Sequence, residues 1–358
     1  MSKLGDDITA MIAQDGPISI ERYMSLCLSH PTLGYYMTRD PFGRSGDFIT
    51  APEISQIFGE LVGIWVIEAW MAAGSPANAV LAELGPGRGT LMSDILRAAR
   101  VAPAFLQSTR VLLVETSPVL RDIQRRTLAG APVPVDWASD VNEAPAAPLF
   151  IVANEFFDAL PVRHFAKSRE GWRERLVGLN PEGRLTYGLS GEIEARLTLA
   201  APDGAIVEIA ACGQRVMSDI AARIARDGGA LLAIDYGYRD STFGETLQAM
   251  ANHAFVDPLA APGEADLTAH VDFGALARAA RDAGARVFGP IAQRDFLLRL
   301  GLEQRAAALS RKATEAQRAD IAAALERLAG LGEAGAHMGE LFKVLAVTPA
   351  QAPTPAAF

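Results

Sequence analysis

Residues 79–98 read AVLAELGPGRGTLMSDILRA, an apolar run closed by an acid, a loop with three glycines, and a stretch of helical period. A run this apolar is a strand buried on both faces, and the helix that follows must cross back over a sheet. The unit recurs down the chain. RVLLVE (110–115) precedes a helical stretch at 117–128, PLFIVAN (148–154) is a further apolar run, and ALLAIDYG (230–237) follows a helical stretch at about 212–227. Residues 273–283 are helical in pattern, ARVFGP (285–290) extended, 314–329 helical, and LFKVLAV (341–347) a closing strand. Strands alternating with helices predict an open, mostly parallel α/β sheet covered on both faces, with ligands held beyond the carboxyl ends of its strands.

Around that core the rhythm changes. Residues 4–14 and 18–29 predict short helices split by Gly16-Pro17. Residues 52–72 predict one long helix opened by Pro52, with apolar residues at Ile54, Ile57, Phe58, Leu61 and Trp65. Trp65 and Trp70 fall on it as core residues. VRHFA, ERLVGL and RLTYGL, separated by SREGW and NPEG, predict an antiparallel insertion. The expected organisation is a helical or lid region over 1–75, a core over 76–348 with insertions at about 161–210 and 240–272, and an Ala/Pro-rich tail over 349–358 that frays.

Composition narrows the function. The chain has 358 residues, half of them apolar, and a net charge of −9. It carries no Lys/Arg-rich tract, which argues against nucleic acid. Two distant cysteines, Cys27 and Cys212, form neither a disulfide framework nor a metal-binding pair, and five scattered histidines make no metal motif. With no apolar run of membrane-spanning length and no leader-like start, the expectation is a cytoplasmic protein without membrane insertion and without a metal. The oligomeric state is not legible.

The glycine loop admits three ligands. A phosphate-binding loop needs GxxxxGK[ST], which is absent. A dinucleotide fold needs GxGxxG and an acid ending the second strand; Gly85, Gly87 and Gly89 are spaced GxGxG, though Glu115 does end that strand. Glu83, two positions before the first glycine, separates the remaining pair. A carboxylate there repels a pyrophosphate and suits a cationic ligand. S-adenosylmethionine carries an ammonium and a sulfonium, so this reading favours the methyl donor over NAD, with Glu115 on the ribose hydroxyls. Thr90 opens the following helix beside the donor.

The chain resembles the MidA family, whose members include bacterial proteins and a mitochondrial complex I assembly factor that methylates an arginine. The resemblance spans nearly the whole chain and rests on HPTLGYYM (30–37), GDFITAPEISQIFGEL (46–61), ELGPGRGTLMSDILR (83–97), VETSPVLRDIQ (114–124), ANEFFDALPVRHF (153–165), IDYGY (234–238), GETLQAMANH (244–253), DLTAHVDF (266–273) and MGELFKVL (338–345). It implies a class I methyltransferase fold: a Rossmann-like sheet of seven strands with the last one antiparallel, an N-terminal helical extension and an antiparallel insertion. It also implies S-adenosyl-L-methionine as cofactor and a protein arginine as acceptor, dimethylated symmetrically on a complex I subunit or on another bacterial protein.

In such a fold the end of the fourth strand faces the transferred methyl. Here that end reads Asn154-Glu155-Phe156-Phe157-Asp158. Asn154 is expected among the donor residues, and Glu155 and Asp158 as the catalytic acids on the guanidinium. The two prolines of an Asn-Pro-Pro-aromatic motif are missing, which argues against a nucleobase or glutamine acceptor. By resemblance, residues 46–55 fold over the ligand, so Asp47, Thr50 and Glu53 are expected as lid or substrate residues, or as caps of the helix at Pro52. His270 is expected on a substrate wall beside Asp272, whereas His164 and His253 read as structural. Tyr35 and Tyr36 read as core packing in preference to stacking on the donor. Two other readings stay open: an assembly chaperone that keeps the donor fold without catalysis, and an NAD-dependent oxidoreductase.

Overall fold

The computed structural model describes residues 2–41, 43, 47–332 and 337–358; Gly46, the first residue of the GDFITAPEISQIFGEL segment, falls outside them. The chain divides into two compact units. One comprises 1–48, 158–215 and 241–271, the other 49–157, 216–240 and 272–358. The N-terminal region expected to run to residue 75 therefore parts at Phe48. Its first portion joins the segments read as insertions, and the rest joins the sheet.

The larger unit holds seven strands in one path: β1 (Ala79–Leu84), β2 (Thr109–Val114), β3 (Val135–Ala138), β4 (Leu149–Asn154), β5 (Gly229–Tyr238), β6 (Arg286–Ala292) and β7 (Phe342–Thr348). Their spatial order is β6-β7-β5-β4-β1-β2-β3, and an eighth strand, Val271–Asp272, lies off this path. Among the described residues the whole sheet is mixed and has eight strands, where seven were expected. β1 to β5 are parallel, and β7 runs antiparallel to both β5 and β6. Every residue of β1 and β4 is buried, as strands covered on both faces must be. The strand order reverses between β1 and β4, so the ligand crevice of such a sheet opens at their carboxyl ends.

The helix expected over 52–72 is two helices. Ala51–Ile54 ends at Ser55, whose φ of −159° is extended, and Gln56–Ala72 begins there with the Ser55 hydroxyl accepting from the Ile57 N–H (3.3 Å). Apolar periodicity continues through the break, so only the capping serine marks it. The second helix buries Ile57, Phe58, Leu61, Trp65 and Trp70 in the main core. Helices Gln293–Arg299 and Leu302–Ser310 were not expected from pattern; the first buries Phe296 and Leu297, the second Leu302 and Ala306.

The tail does not fray. Phe358 packs on Phe288 and Phe296, and the Trp65 indole donates to the Ala356 carbonyl (3.2 Å). One terminal aromatic and two small residues give the segment enough apolar contact to offset its ordering, which an Ala/Pro-rich composition conceals.

In the smaller unit, Arg163–Ser168, Gly171–Leu179, Leu185–Leu189 and Ile206–Ile209 form the expected antiparallel sheet, joined by Ile18–Ser19. Its core takes Leu4, Ile8 and Ile12 from helix Lys3–Asp15 and Ile20, Tyr23, Met24 and Cys27 from helix Ile20–Ser29. A separate three-stranded sheet comprises Gln248–Ala251, Ala254–Val256 and Asp266–Thr268. No helix among the described residues is long and apolar enough to cross a membrane.

Candidate active site

β1 ends at the glycine loop. Gly85, Gly87 and Gly89 have φ of 58°, 51° and 80°, all left-handed, where glycine alone is free of strain. A Cβ on Gly85 would also meet the Phe156 ring at 3.1 Å. The turn leads into helix Thr90–Ala98, with Gly89 at its N-terminal cap position.

Glu83 lies on β1 with 3 % of its surface exposed, and its Oε2 has no hydrogen-bond partner among the described residues. Burial pushes its carboxyl well above the usual range; the Met92 N–H opposes this and the Asp94 charge adds to it. An unpaired oxygen in so dry a place calls for a cation or an N–H from outside the chain. The charged end of S-adenosyl-L-methionine would supply one, and its approach would favour the ionised carboxylate. A pyrophosphate would supply neither.

Glu115 follows β2 and is buried. Its Oε1 accepts from the Ser117 N–H (2.7 Å) and its Oε2 from the Gln124 amide (3.2 Å). Burial raises its pKa, while these bonds favour the carboxylate. Helix Pro118–Thr127 is capped by Ser117 itself, whose hydroxyl accepts from the Leu120 N–H. With the cap accounted for and each carboxylate oxygen able to accept further bonds, Glu115 fits a ribose diol. Gln124 also donates to the Gly87 carbonyl (2.8 Å) and accepts from the Trp137 indole (2.9 Å). It therefore ties the glycine loop to the second strand, a linkage not foreseen from sequence. We expect Glu115→Ala to weaken the donor by about 10- to 100-fold, roughly 1.5–3 kcal/mol for a charge-assisted hydrogen bond. Calorimetry with the donor and with an analogue lacking the ribose hydroxyls checks it: the analogue should bind mutant and wild type alike.

β4 ends in Asn154, which is 8 % exposed. Its Nδ2 donates to Glu155 Oε1 (3.1 Å), and its Oδ1 is buried without a partner among the described residues. Glu155 has φ 51°, a strained value for a side-chain-bearing residue. Its Oε1 also accepts the Ala51 N–H (3.0 Å), and its own N–H donates to the Ile234 carbonyl (2.9 Å). The next two amides, Phe156 and Phe157, both donate to Asp235 Oδ2 (3.1 and 2.9 Å), while Asp235 Oδ1 accepts from Tyr236 (3.0 Å). Asp235 is fully buried on β5. It holds the turn after β4 and was not singled out from sequence; an acid inside an apolar strand was the available signal.

The lid candidates separate. Thr50 stands at the start of helix Ala51–Ile54, but its side chain makes no capping bond; the Ala51 N–H goes to Glu155. Glu53 does not cap either: its Oε1 accepts from the Thr90 hydroxyl (2.5 Å), and Arg88 lies 3.9 Å away. Thr90 thereby fastens this helix to the glycine loop. Asp47 belongs to the smaller unit, where it accepts from the Tyr35 hydroxyl (2.6 Å) and the Asn252 N–H (2.7 Å). Asp158 belongs there too. Its carbonyl accepts from Ala269 (3.0 Å), and its charge, after burial, helps push the Asp266 carboxyl up to about 8. Asp266 accepts from the Tyr36 hydroxyl (2.7 Å). Tyr35 and Tyr36 form an edge-to-face pair, with Tyr35 in the core. The His270 N–H donates to Thr246 Oγ1 (2.8 Å), whose hydroxyl bonds Glu208, and Glu208 lies 3.0 Å from the fully buried His164.

A switch-point crevice with a glycine turn, an acid on the first strand and an acid after the second defines the class I methyltransferase arrangement. Residues 61–291 match the profile of the S-adenosyl-L-methionine-dependent methyltransferase family. The chain belongs to this family, in agreement with its resemblance to MidA proteins, and its methyl donor is S-adenosyl-L-methionine. A protein from Burkholderia thailandensis bound to S-adenosyl-homocysteine superposes with a TM-score of 0.87 at 32 % identity, covering 99 % of this chain and 94 % of that one. The mitochondrial protein arginine methyltransferase NDUFAF7 of Danio rerio is 41 % identical over 83 % of this chain and 76 % of its own length. The Homo sapiens protein of that name is 40 % identical over 85 % and 74 %.

Proposed function

We propose that this methyltransferase acts on the guanidinium of a protein arginine. The observation that carries the reading is the identity of about 40 %, across more than four fifths of the chain, to two relatives named protein arginine methyltransferases. Site chemistry supports it. Arginine stays protonated at any working pH, and delocalisation withholds the lone pair that attack requires. Bound donor supplies an electrophilic methyl group on a sulfonium. Glu155, at the end of β4, localises the guanidinium charge away from the reacting nitrogen and takes its proton as the nitrogen–carbon bond forms. Asp158 is the second acid of the reading. Most of the acceleration comes from alignment of the nitrogen with the methyl–sulfur bond.

The finer reading is symmetric dimethylation of a complex I subunit, or of another bacterial protein, in the cytoplasm. To test it, purified protein and donor are added to extract from cells lacking the gene, and modified peptides are mapped by mass spectrometry. We expect methyl groups on arginine, one on each terminal nitrogen. Transfer to lysine or glutamine alone would sink the acceptor assignment. Donor binding without any transfer would favour the chaperone reading, and heat with NAD alone would favour the oxidoreductase.

A further inference from the structure

Two buried oxygens at the switch point lack partners among the described residues, and they differ in kind. Glu83 Oε2 belongs to a titratable acid, and Asn154 Oδ1 to a neutral amide. β1 and β4 are hydrogen-bonded neighbours, with Glu83 opposite Val152. Asn154 lies two residues beyond Val152, so Glu83 and Asn154 project from the same face of adjacent strands. The amide orientation of Asn154 follows from its neighbour. Glu155 Oε1 takes the Nδ2 proton while also accepting the Ala51 N–H, so Oδ1 is left as an acceptor. Glu155 keeps this arrangement despite its left-handed backbone, which its N–H bond to Ile234 and the paired Phe156 and Phe157 amides on Asp235 hold in place.

An orphaned acceptor this deep is costly unless a ligand N–H satisfies it. Glu83 has the charge that suits the cationic end of the donor. We propose that Asn154 Oδ1 serves the other reactant: it accepts an N–H of the arginine nitrogen that receives the methyl group. The inference rests on the arginine reading above and moves Asn154 from the donor to the acceptor.

The chemistry favours an amide at that point. Glu155 already supplies the carboxylate that takes a proton, so the second contact needs only to orient the nitrogen. An amide oxygen orients one N–H without fixing charge, and leaves localisation to Glu155. The nitrogen gains the methyl carbon as the carbon–sulfur bond breaks, the electron pair leaves with sulfur, and the nitrogen's other proton passes to Glu155. The nitrogen becomes more positive as it attacks, so the N–H bond to Asn154 strengthens toward the transition state. Losing it should therefore lower kcat more than it raises KM.

The test uses Asn154→Ala and Asn154→Ser, the latter keeping a polar group too short to replace the amide oxygen. Thermal melting and calorimetry with S-adenosyl-homocysteine establish that each variant folds and binds. Methyl transfer to an arginine peptide that wild type modifies is then measured at saturating donor. We expect kcat to fall about 100-fold, the lower range for losing one such preorganised contact, with the S-adenosyl-homocysteine Kd changed less than threefold. Weakened S-adenosyl-homocysteine binding with kcat intact would overturn the proposal and return Asn154 to the donor. Unchanged binding and unchanged transfer in both variants would overturn it as well. If wild type transfers nothing to arginine, the underlying reading fails first, and the wild-type control alone reveals it.

Discussion

Gly87→Val is expected to abolish measurable binding of S-adenosyl-L-methionine and S-adenosyl-homocysteine in a protein that still folds. Gly87 is the middle glycine of the loop, with φ 51°, and its carbonyl is held by Gln124. Two effects coincide there. A β-branched residue in the left-handed region costs about 1–2 kcal/mol of backbone strain. If the loop cradles the donor, its side chain also enters the space through which the loop approaches the ligand. Strain alone shifts stability, whereas intrusion removes binding. Gly87→Asn separates the two, because asparagine tolerates the left-handed region yet still projects a side chain. Gly204, with φ 84° and open space around it, provides the strain control in the other unit. Calorimetry on all three variants should show binding lost for Gly87→Val, lowered at least 100-fold for Gly87→Asn, and unchanged for Gly204→Val. A folded Gly87→Val that binds within tenfold of wild type would show that the loop is not the donor cradle.

How much of this was legible in the sequence depends on whether a residue acts locally. β1, β4, β5 and β7 announce themselves as apolar runs because both their faces are covered. β3, Val135–Ala138, carries Asp136 at an exposed position of an edge strand and shows no such run. The acids flanking the glycine loop were readable because loop, strand and helix are contiguous. Asp235 was not, since its partners are the amides of Phe156 and Phe157, 79 and 78 residues earlier. The smaller unit shows the same limit. Its antiparallel strands were recognisable, but that residues 1–48, 158–215 and 241–271 form one body is a long-range fact. Turn chemistry can also reverse a local reading. Thr50, Pro52 and Glu53 have the composition of a capped helix start, yet the Thr50 side chain makes no capping bond, the Ala51 N–H goes to Glu155, and Glu53 turns to Thr90.

Glu155→Gln should separate donor binding from methyl transfer. The glutamine carbonyl can replace Oε1, accepting from Ala51 and from Asn154, so the turn after β4 and the Asn154 amide keep their places. What disappears is the negative charge. Without it the guanidinium charge stays delocalised over the reacting nitrogen, and no group takes the proton as the bond forms. Loss of a positioned acid–base group lowers rates by about 100- to 10,000-fold, so transfer should fall at least 100-fold, while S-adenosyl-homocysteine binds as in wild type. Glu155→Ala should fall further, because it also releases the Asn154 amide and leaves the buried Ala51 N–H unpaired. The ordering of the two variants therefore measures charge apart from position. Asp158→Asn supplies the comparison from the smaller unit, where that carboxylate neighbours Asp266. If Glu155→Gln and Asp158→Asn both methylate arginine at close to the wild-type rate, the acceptor site lies elsewhere, with Asp47, Glu53 and His270 next to be replaced. A rate lost together with donor affinity in Glu155→Gln would instead mean that Glu155 supports the donor.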